Sequence, residues 1–445
     1  MALPSLVLAA VALAGCGGAR GPAHAALGAG SPTADSLLVR QDIAYLASDQ
    51  LEGRGTGTPG NDSAAAYIAA RFAALGLAPI RPAATPCPGQ ATAAPCLARY
   101  YQRFTARSMQ MAHAGNAAGL RTQNVAAVLP GTDPALRGQY VVIGAHFDHL
   151  GRSTVSALDP ESKDAIRNGA DDNASGTAAV MELARMFSIN KPGRSVIFAT
   201  FSGEEQGLIG SQFFVDNPPV PLAKIVAMLN FDMVGRMKDN GLMIFGTATA
   251  TELSALIDSA NTGTLPIKVT GSGDGFGSSD HSSFYAKEIP VLHFFTAIHD
   301  DYHRASDDIE KINLGGQARV VDLAYRIADR IDDRPARLSY VRSTAPSRAM
   351  GSGQGSQAYL GSVPDMAAGA TPGLKLTGVR AGSPADSGGL KPGDVIVELG
   401  GREVKDLYSY SEALYAHKPG DTIKIIYMRD GKRVETSVTL GKRGG

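Results

Sequence analysis

A histidine and an aspartate one residue apart, His146 and Asp148, close the apolar run of YVVIGAHFDHLG. Two adjacent glutamates, Glu204 and Glu205, close another in SVIFATFSGEE. Like charges side by side at the mouth of a buried strand repel and lose hydration, so they need a positive partner. The pattern recurs at Asp232, which ends KIVAMLNFD. Asp171 and Asp172 in RNGADDNASG precede a helix-like stretch, and HDDYHRASDD supplies His303. Singly, each has an ordinary explanation: an acidic pair can cap a helix, and a glutamate pair is usually a solvated face. Together, imidazoles and carboxylates form a donor set suited to zinc, and an aspartate shared by two ions would set them ~3.5–4 Å apart.

The elements that must position these residues are legible as periodic runs. QNVAAVL, YVVIGAHF, SVIFATF, KIVAMLNF, GLMIF and IPVLHFF read as strands, and GTAAVMELARMF as a helix between two of them. Short apolar runs alternating with helices indicate an α/β sheet buried on both faces. In open α/β sheets ligands gather at the carboxyl ends of strands, where the candidate donors lie.

The motifs GAHFDH, GADDNASG, FSGEEQGLIGS, LNFDMVG and YHRASD occur in that order. With them the region around 36–335 resembles the secreted dizinc aminopeptidases of metallopeptidase family twenty-eight. The resemblance implies a three-layer α/β/α, phosphorylase/hydrolase-like zinc exopeptidase domain binding two Zn2+ per chain. It implies that His146, Asp172 and Asp232 hold one zinc, and that Glu205, His303 and the shared Asp172 hold the other. The residues alone do not choose Asp172 over Asp171; the position four before Gly176 does so through the family motif. Glu204 would be the general base, Asp148 would orient His146, and Tyr302 would donate a hydrogen bond to the tetrahedral oxyanion. Neighbouring side chains of extended backbone point oppositely, which fits different duties for Glu204 and Glu205.

Other residues have weaker claims. Asp280 and His281 in GSSDHSSF match a family loop near the substrate pocket, in a supporting role. His149 and His299 lie near ligands without an assigned duty. His24, His113, His293 and His417 have no constellation around them. Arg236 could meet a substrate carboxylate or carbonyl, or form an ion pair.

After a Ser/Gly-rich stretch, GLKLTGVRAGSPADSGGLKPGDVIVELGG and DTIKIIYMRDGKRVETSVTL resemble a bacterial protease-associated PDZ domain, small and mainly β. DLYSYSEALYAH would supply its second helix, and Tyr359, Leu360 and Gly361 its carboxylate-binding loop. PDZ grooves add a peptide as a strand and catch its C-terminal carboxylate with backbone amides. The alternative is a domain that only packs on the catalytic core.

At 445 residues two or more domains are expected. Lys plus Arg and Asp plus Glu each number 42, a balance that argues against a nucleic-acid partner. The apolar start MALPSLVLAAVALAG is too short to span a bilayer and reads as a secretory segment. LAGC, ending at Cys16, resembles a lipobox; the alternative is a plain secretory signal cut elsewhere. Cys87 and Cys96 flank a turn-rich loop and suit a local disulfide in an oxidising compartment. The expected organisation is a lipoprotein-type signal peptide over 1–15, a flexible tether over 16–34 and a catalytic domain over 35–337, then a linker over 338–357 and a PDZ domain over 358–445. The chain reads as exported, lipid-anchored in the cell envelope or secreted, touching membrane only through that anchor. Its substrates would be peptides with a free N-terminus. The resembled family also contains carboxypeptidases and single-zinc glutaminyl cyclases, and fold does not fix reaction. A catalytically dead PDZ scaffold is the reading of another class.

Overall fold

The computed structural model describes residues 32–81, 93–107, 119–154, 157, 159, 162–271, 273, 275–297, 299–342, 358–364, 373–404, 410, 413–414 and 417–442. Cys16 and Cys87 lie outside them.

Nine strands form the first sheet: β1 (Ala78–Pro79), β2 (Tyr101–Ala106), β3 (Leu120–Leu129), β4 (Tyr140–His146), β5 (Ser195–Phe201), β6 (Ile225–Phe231), β7 (Gly241–Phe245), β8 (Lys268–Thr270) and β9 (Val291–Phe295). Their order is β1-β3-β5-β4-β6-β9-β7-β8, with β2 paired to β3. The block β5-β4-β6-β9 is parallel, whereas β3 and β7 flank it antiparallel. The chain leaves β4 toward β5 on one side and β6 on the other, so the order reverses at β4. That is where open α/β sheets form a crevice.

Burial explains why the central runs are continuously apolar. Val141, Ile143 and Ala145 of β4 and Val196 and Phe198 of β5 face one core. It is shared with helices Ser36–Leu46, Pro59–Ala74, Gly176–Ile189 and Leu314–Asp332. The alternate residues Val142, Ile197 and Ala199 face a second core under helices Ile209–Asp216 and His281–Tyr285. With period-2 side chains and helices on both faces, the domain has three layers. Side-chain caps set the helix starts: Asp35 accepts from Leu37 and Leu38, Thr58 from Asn61 with Pro59 first in the helix, and Asn313 from Gly316.

Two boundaries differ from expectation. Ala34, assigned to the tether, donates its amide to Asp322 (2.8 Å). Residues 338–342 do not begin a linker: Leu338 is buried in the main core, Tyr340 bridges Ala250 and Val341 donates to Thr249. The single apolar residues of this stretch enter the core or meet the segment after β7, which composition alone does not reveal. Residues 343–357 lie outside the described residues.

In the C-terminal block, β10 (Ala358–Tyr359) pairs with β17 (Gly441–Lys442). A second sheet holds β11 (Ser362–Pro364), β12 (Leu374–Val379), β13 (Val395–Leu399), β15 (Thr422–Arg429) and β16 (Lys432–Thr439) in that order, with β14 (Arg402–Glu403) on β13. Its own core includes Leu360, Leu376, Ile396, Leu399, Ile425 and Val438. Tyr410, Ala413 and Leu414 are buried at helical spacing, while most of the expected helix around them lies outside the described residues.

Phe198 is fully buried between the rings of Phe72 (6.3 Å) and Phe187 (6.4 Å). Phe198→Ala should cost about 3–5 kcal/mol of stability, read as a lower denaturant midpoint. A loss below ~1 kcal/mol would contradict the packing of sheet against helices described here.

Candidate metal centre

His146 is the last residue of β4 and lies in register with Phe201, the last of β5. The chain beyond each strand therefore enters the same crevice. The His146 Nδ1 lies 3.1 Å from the backbone carbonyl of Asp148 and 3.8 Å from its carboxylate. A carbonyl only accepts, so Nδ1 carries a hydrogen, which in the neutral ring leaves the Nε2 lone pair for a metal. Nε2 stands 3.4 Å from both Asp172 Oδ1 and Asp232 Oδ1. Asp148 thus orients His146 through its backbone. Its carboxylate accepts from Thr56 Oγ1 (2.7 Å) and from the Glu204 amide (3.2 Å), tying the β4 and β5 loops together.

The structure separates Asp171 from Asp172. Asp171 turns away, accepting from the Gly235 amide (2.7 Å) and lying 3.2 Å from His299 Nε2. Asp172 faces the crevice between His146 and His303. Both backbone amides donate to one carboxylate oxygen of the buried Asp307, at 2.9 and 3.0 Å. Asn173 binds the Phe231 carbonyl and accepts from Met233, which locks this loop to the end of β6, where Asp232 emerges.

Glu204 and Glu205 are not in extended backbone as the sequence suggested. Gly207 and Leu208 both donate to the Glu204 carbonyl, so the chain turns at once and the turn parts the two side chains. Glu205 Oε2 lies 3.2 Å from His303 Nε2, which lies 3.3 Å from Asp172 Oδ2. His303 sits at φ 54°, a left-handed conformation costly for a residue with a Cβ. Its ring stacks on Tyr302 with centroids 3.8 Å apart.

Two donor sets result: His146, Asp172 and Asp232, and Asp172 and Glu205 with His149 or His303 at hand. A four-coordinate zinc with bonds of ~2.0–2.1 Å sets its ligand atoms roughly 3.3–3.4 Å apart. The separations of 3.2–3.4 Å about His146 and His303 match that spacing, so the residues fit the metal. All five residues expected as ligands converge, and Glu204 adjoins them.

Electrostatics point the same way. Burial pushes the Glu204 carboxyl well above its usual range, and Glu205, Asp280 and Asp232 add to the push against His146. Burial pulls the His146 and His303 imidazoles down, but Glu204 and Asp232 around the one and Glu205 and Asp172 around the other hold both well above the ordinary value. The cluster draws positive charge to itself. Arg54, fully buried, supplies part of it; burial pulls its guanidinium down to about 10. That guanidinium donates to the carbonyls of Leu46, Phe147, Asn168 and Gly169, bracing both the His146 and Asp172 loops.

Arg54, Thr56, His149 and Asp307 were not assigned roles from sequence. Asp307 lay inside the YHRASD motif, but Arg54 and Thr56 sit in a Gly-rich stretch with no pattern to mark them. Arg236 is half of two ion pairs, to Asp307 (2.8 Å) and Asp301 (3.3 Å). Asp280 and His281 are buried beside the centre. The His281 ring stacks on His293 at 4.3 Å, and burial raises the Asp280 carboxyl to about 7. In the C-terminal block, Gly361 (φ 84°) lets Tyr359-Leu360-Gly361 turn directly into β11, which among the described residues is an edge strand and whose Ser362 pairs with Val379. Cys96 is buried and disulfide-bonded.

Residues 124–328 match the profile of peptidase family M28, and residues 358–440 that of the PDZ domain. Leucine aminopeptidase 1 of Trichophyton equinum is 33% identical over 174 residues, covering 36% of this chain and 43% of that protein. The chain spans less than two thirds of the length of the curated relatives it matches. A Zn-dependent exopeptidase from Parabacteroides distasonis shares the fold with a TM-score of 0.54 at 18% identity, over 68% of this chain and all of that one. A glutaminyl cyclase from Porphyromonas gingivalis does so with a TM-score of 0.52 at 18% identity, over 67% of this chain and 99% of that one. At such identities the likeness is one of fold. The chain therefore carries a peptidase family M28 domain followed by a C-terminal PDZ domain.

Proposed function

We propose that this chain is a zinc-dependent aminopeptidase that removes N-terminal residues from peptides, using two zinc ions and Glu204 as general base. One observation carries the reading: two donor sets share Asp172 at the strand ends, and the adjacent Glu204 belongs to neither. His146, Asp172 and Asp232 would hold one ion, and Asp172, Glu205 and His303 the other. Zinc there would make a water acidic near neutral pH and polarise the scissile carbonyl. Glu204 would take the water's proton and return it to the departing amine. Burial and the nearby carboxylates push the Tyr302 phenol well above its usual range. It therefore stays protonated and can donate to the oxyanion.

The name leucine aminopeptidase borne by a relative supports peptides with a free N-terminus as substrates. A carboxypeptidase needs a cation for the substrate carboxylate, and Arg236, the candidate, is already neutralised by Asp301 and Asp307. Cyclase activity draws on fold likeness alone, whereas the full dizinc donor set favours hydrolysis. We extend the reading to the address: export by the apolar leader, with lipid attachment at Cys16. The disulfide at Cys96 supports an oxidising compartment, and no helix among the described residues is long and apolar enough to cross a membrane. The PDZ block would take a peptide C-terminus at Tyr359, Leu360 and Gly361. That β11 pairs only with β12 among the described residues supports strand addition there.

Free and N-acetylated aminoacyl substrates, assayed on metal-stripped and zinc-restored protein, test the class. The free substrate should turn over only with zinc, and equal cleavage of the blocked one would exclude an aminopeptidase. Conversion of glutaminyl peptides to pyroglutamate without hydrolysis would favour the cyclase. Glu204→Gln should retain zinc and lose about 10²–10⁴-fold in kcat, whereas Glu205→Gln should weaken the binding of the second zinc on metal analysis. Full activity in both variants would overturn the site assignment.

A further inference from the structure

We infer that His149 is a positioning residue that fixes Glu205, so that a single carboxylate oxygen is turned toward the metal. The inference rests on the proposed metal at Asp172, Glu205 and His303. His149 is buried, and its Nδ1 lies 2.7 Å from Glu205 Oε1 but 3.7 Å from Asp172 Oδ2. Two ligands of one four-coordinate zinc stand roughly 3.3–3.4 Å apart. His303 meets that spacing to both carboxylates, at 3.2 and 3.3 Å. His149 does not: 2.7 Å is too short for a ligand pair and right for a charge-assisted hydrogen bond. Distance therefore distinguishes two imidazoles that residue type could not.

A carboxylate accepts only, so Nδ1 carries a hydrogen, and Nε2 is buried with no hydrogen-bond partner among the described residues. The ring is also held from outside the pair. Gly55 bridges to His149 in parallel-strand fashion. On its other side lies Gly169, where an added Cβ would stand 2.5 Å from the ring's Cδ2 and 2.6 Å from its Cγ. Gly169 thus serves three ends: its left-handed φ of 57°, the room it leaves for the imidazole, and the room it leaves for the Asp172 carbonyl, which an added Cβ would meet at 1.9 Å. With Oε1 held by His149, Oε2 is the oxygen that faces His303.

Zinc content and competition with a chelator, measured on the full chain, test this. Wild type should hold two ions. His149→Leu should keep one and bind the second about 10–100-fold more weakly, as loss of a ligand's hydrogen-bond partner does elsewhere. His149→Asn, whose Nδ2 can donate from nearly the place of Nδ1, should restore the affinity. Unchanged binding of the second ion in His149→Leu would overturn the proposal. So would equal loss in Asn and Leu, which would make the imidazole itself a ligand. His303→Ala is the control for the site: if it leaves the second ion bound, the metal assignment fails rather than the role of His149. Should His149→Leu fail to fold, His149→Ala, which removes the same donor with less bulk, must weaken the second ion; unchanged affinity there would equally overturn the role.

Discussion

The carboxylates of Asp148, Asp172, Glu204, Glu205 and Asp232 converge on the mouth of one buried parallel sheet, and their mutual repulsion is the constraint that the rest of the domain has to meet. In water such charges would spread and hydrate; where β4, β5 and β6 deliver them, they can do neither. Two kinds of compensation are visible. Fixed dipoles come first: the amides of Asp171 and Asp172 converge on Asp307, that of Glu204 on Asp148, and that of Gly235 on Asp171. The remaining charge belongs to cations. Arg54 lies deep in the domain, imidazoles line the crevice, and the proposed zinc ions would supply the largest share.

The same constraint accounts for how rigidly the donors are held. Donor atoms set for a metal must stay in place when the metal leaves, which a bare carboxylate on a flexible loop cannot do. Here each loop is tied to another by a side chain that is not itself a donor. Asn173 joins the Asp172 loop to β6, Arg54 joins it to the His146 loop, and Asp148 joins the His146 loop to the Glu204 turn. Removing any of these ties loosens two donors at once, so their effects should not be independent.

How much of this is legible in the sequence follows from what each residue depends on. The central strands are legible because both faces are buried, which writes a continuous apolar run; SVIFATF coincides with β5 and GLMIF with β7. β1, β2 and β8, which lie toward the sheet's margins, carry no such run and went unmarked. Four of the donor sites are legible because they end a run or border a glycine turn; His303, in HDDYHRASDD, does neither and is marked only by the family resemblance. The division of labour between Glu204 and Glu205 could be anticipated only through the family resemblance. The supporting argument from extended backbone does not hold, since Gly207 and Leu208 donate to the Glu204 carbonyl and turn the chain at once.

The supporting residues are illegible for a different reason. Arg54 donates only to backbone carbonyls, which exist at every position and leave no complementary residue in the sequence to find. His149 and His303 are alike by type and lie at similar distances from Glu205; what tells them apart is half an ångström. A sequence specifies such a difference only through the whole set of contacts that fixes the two rings, including a glycine twenty residues away that matters for the side chain it lacks. The chemistry of this centre is therefore written in residue types, but its geometry is written in the parts of the chain that carry no chemistry of their own.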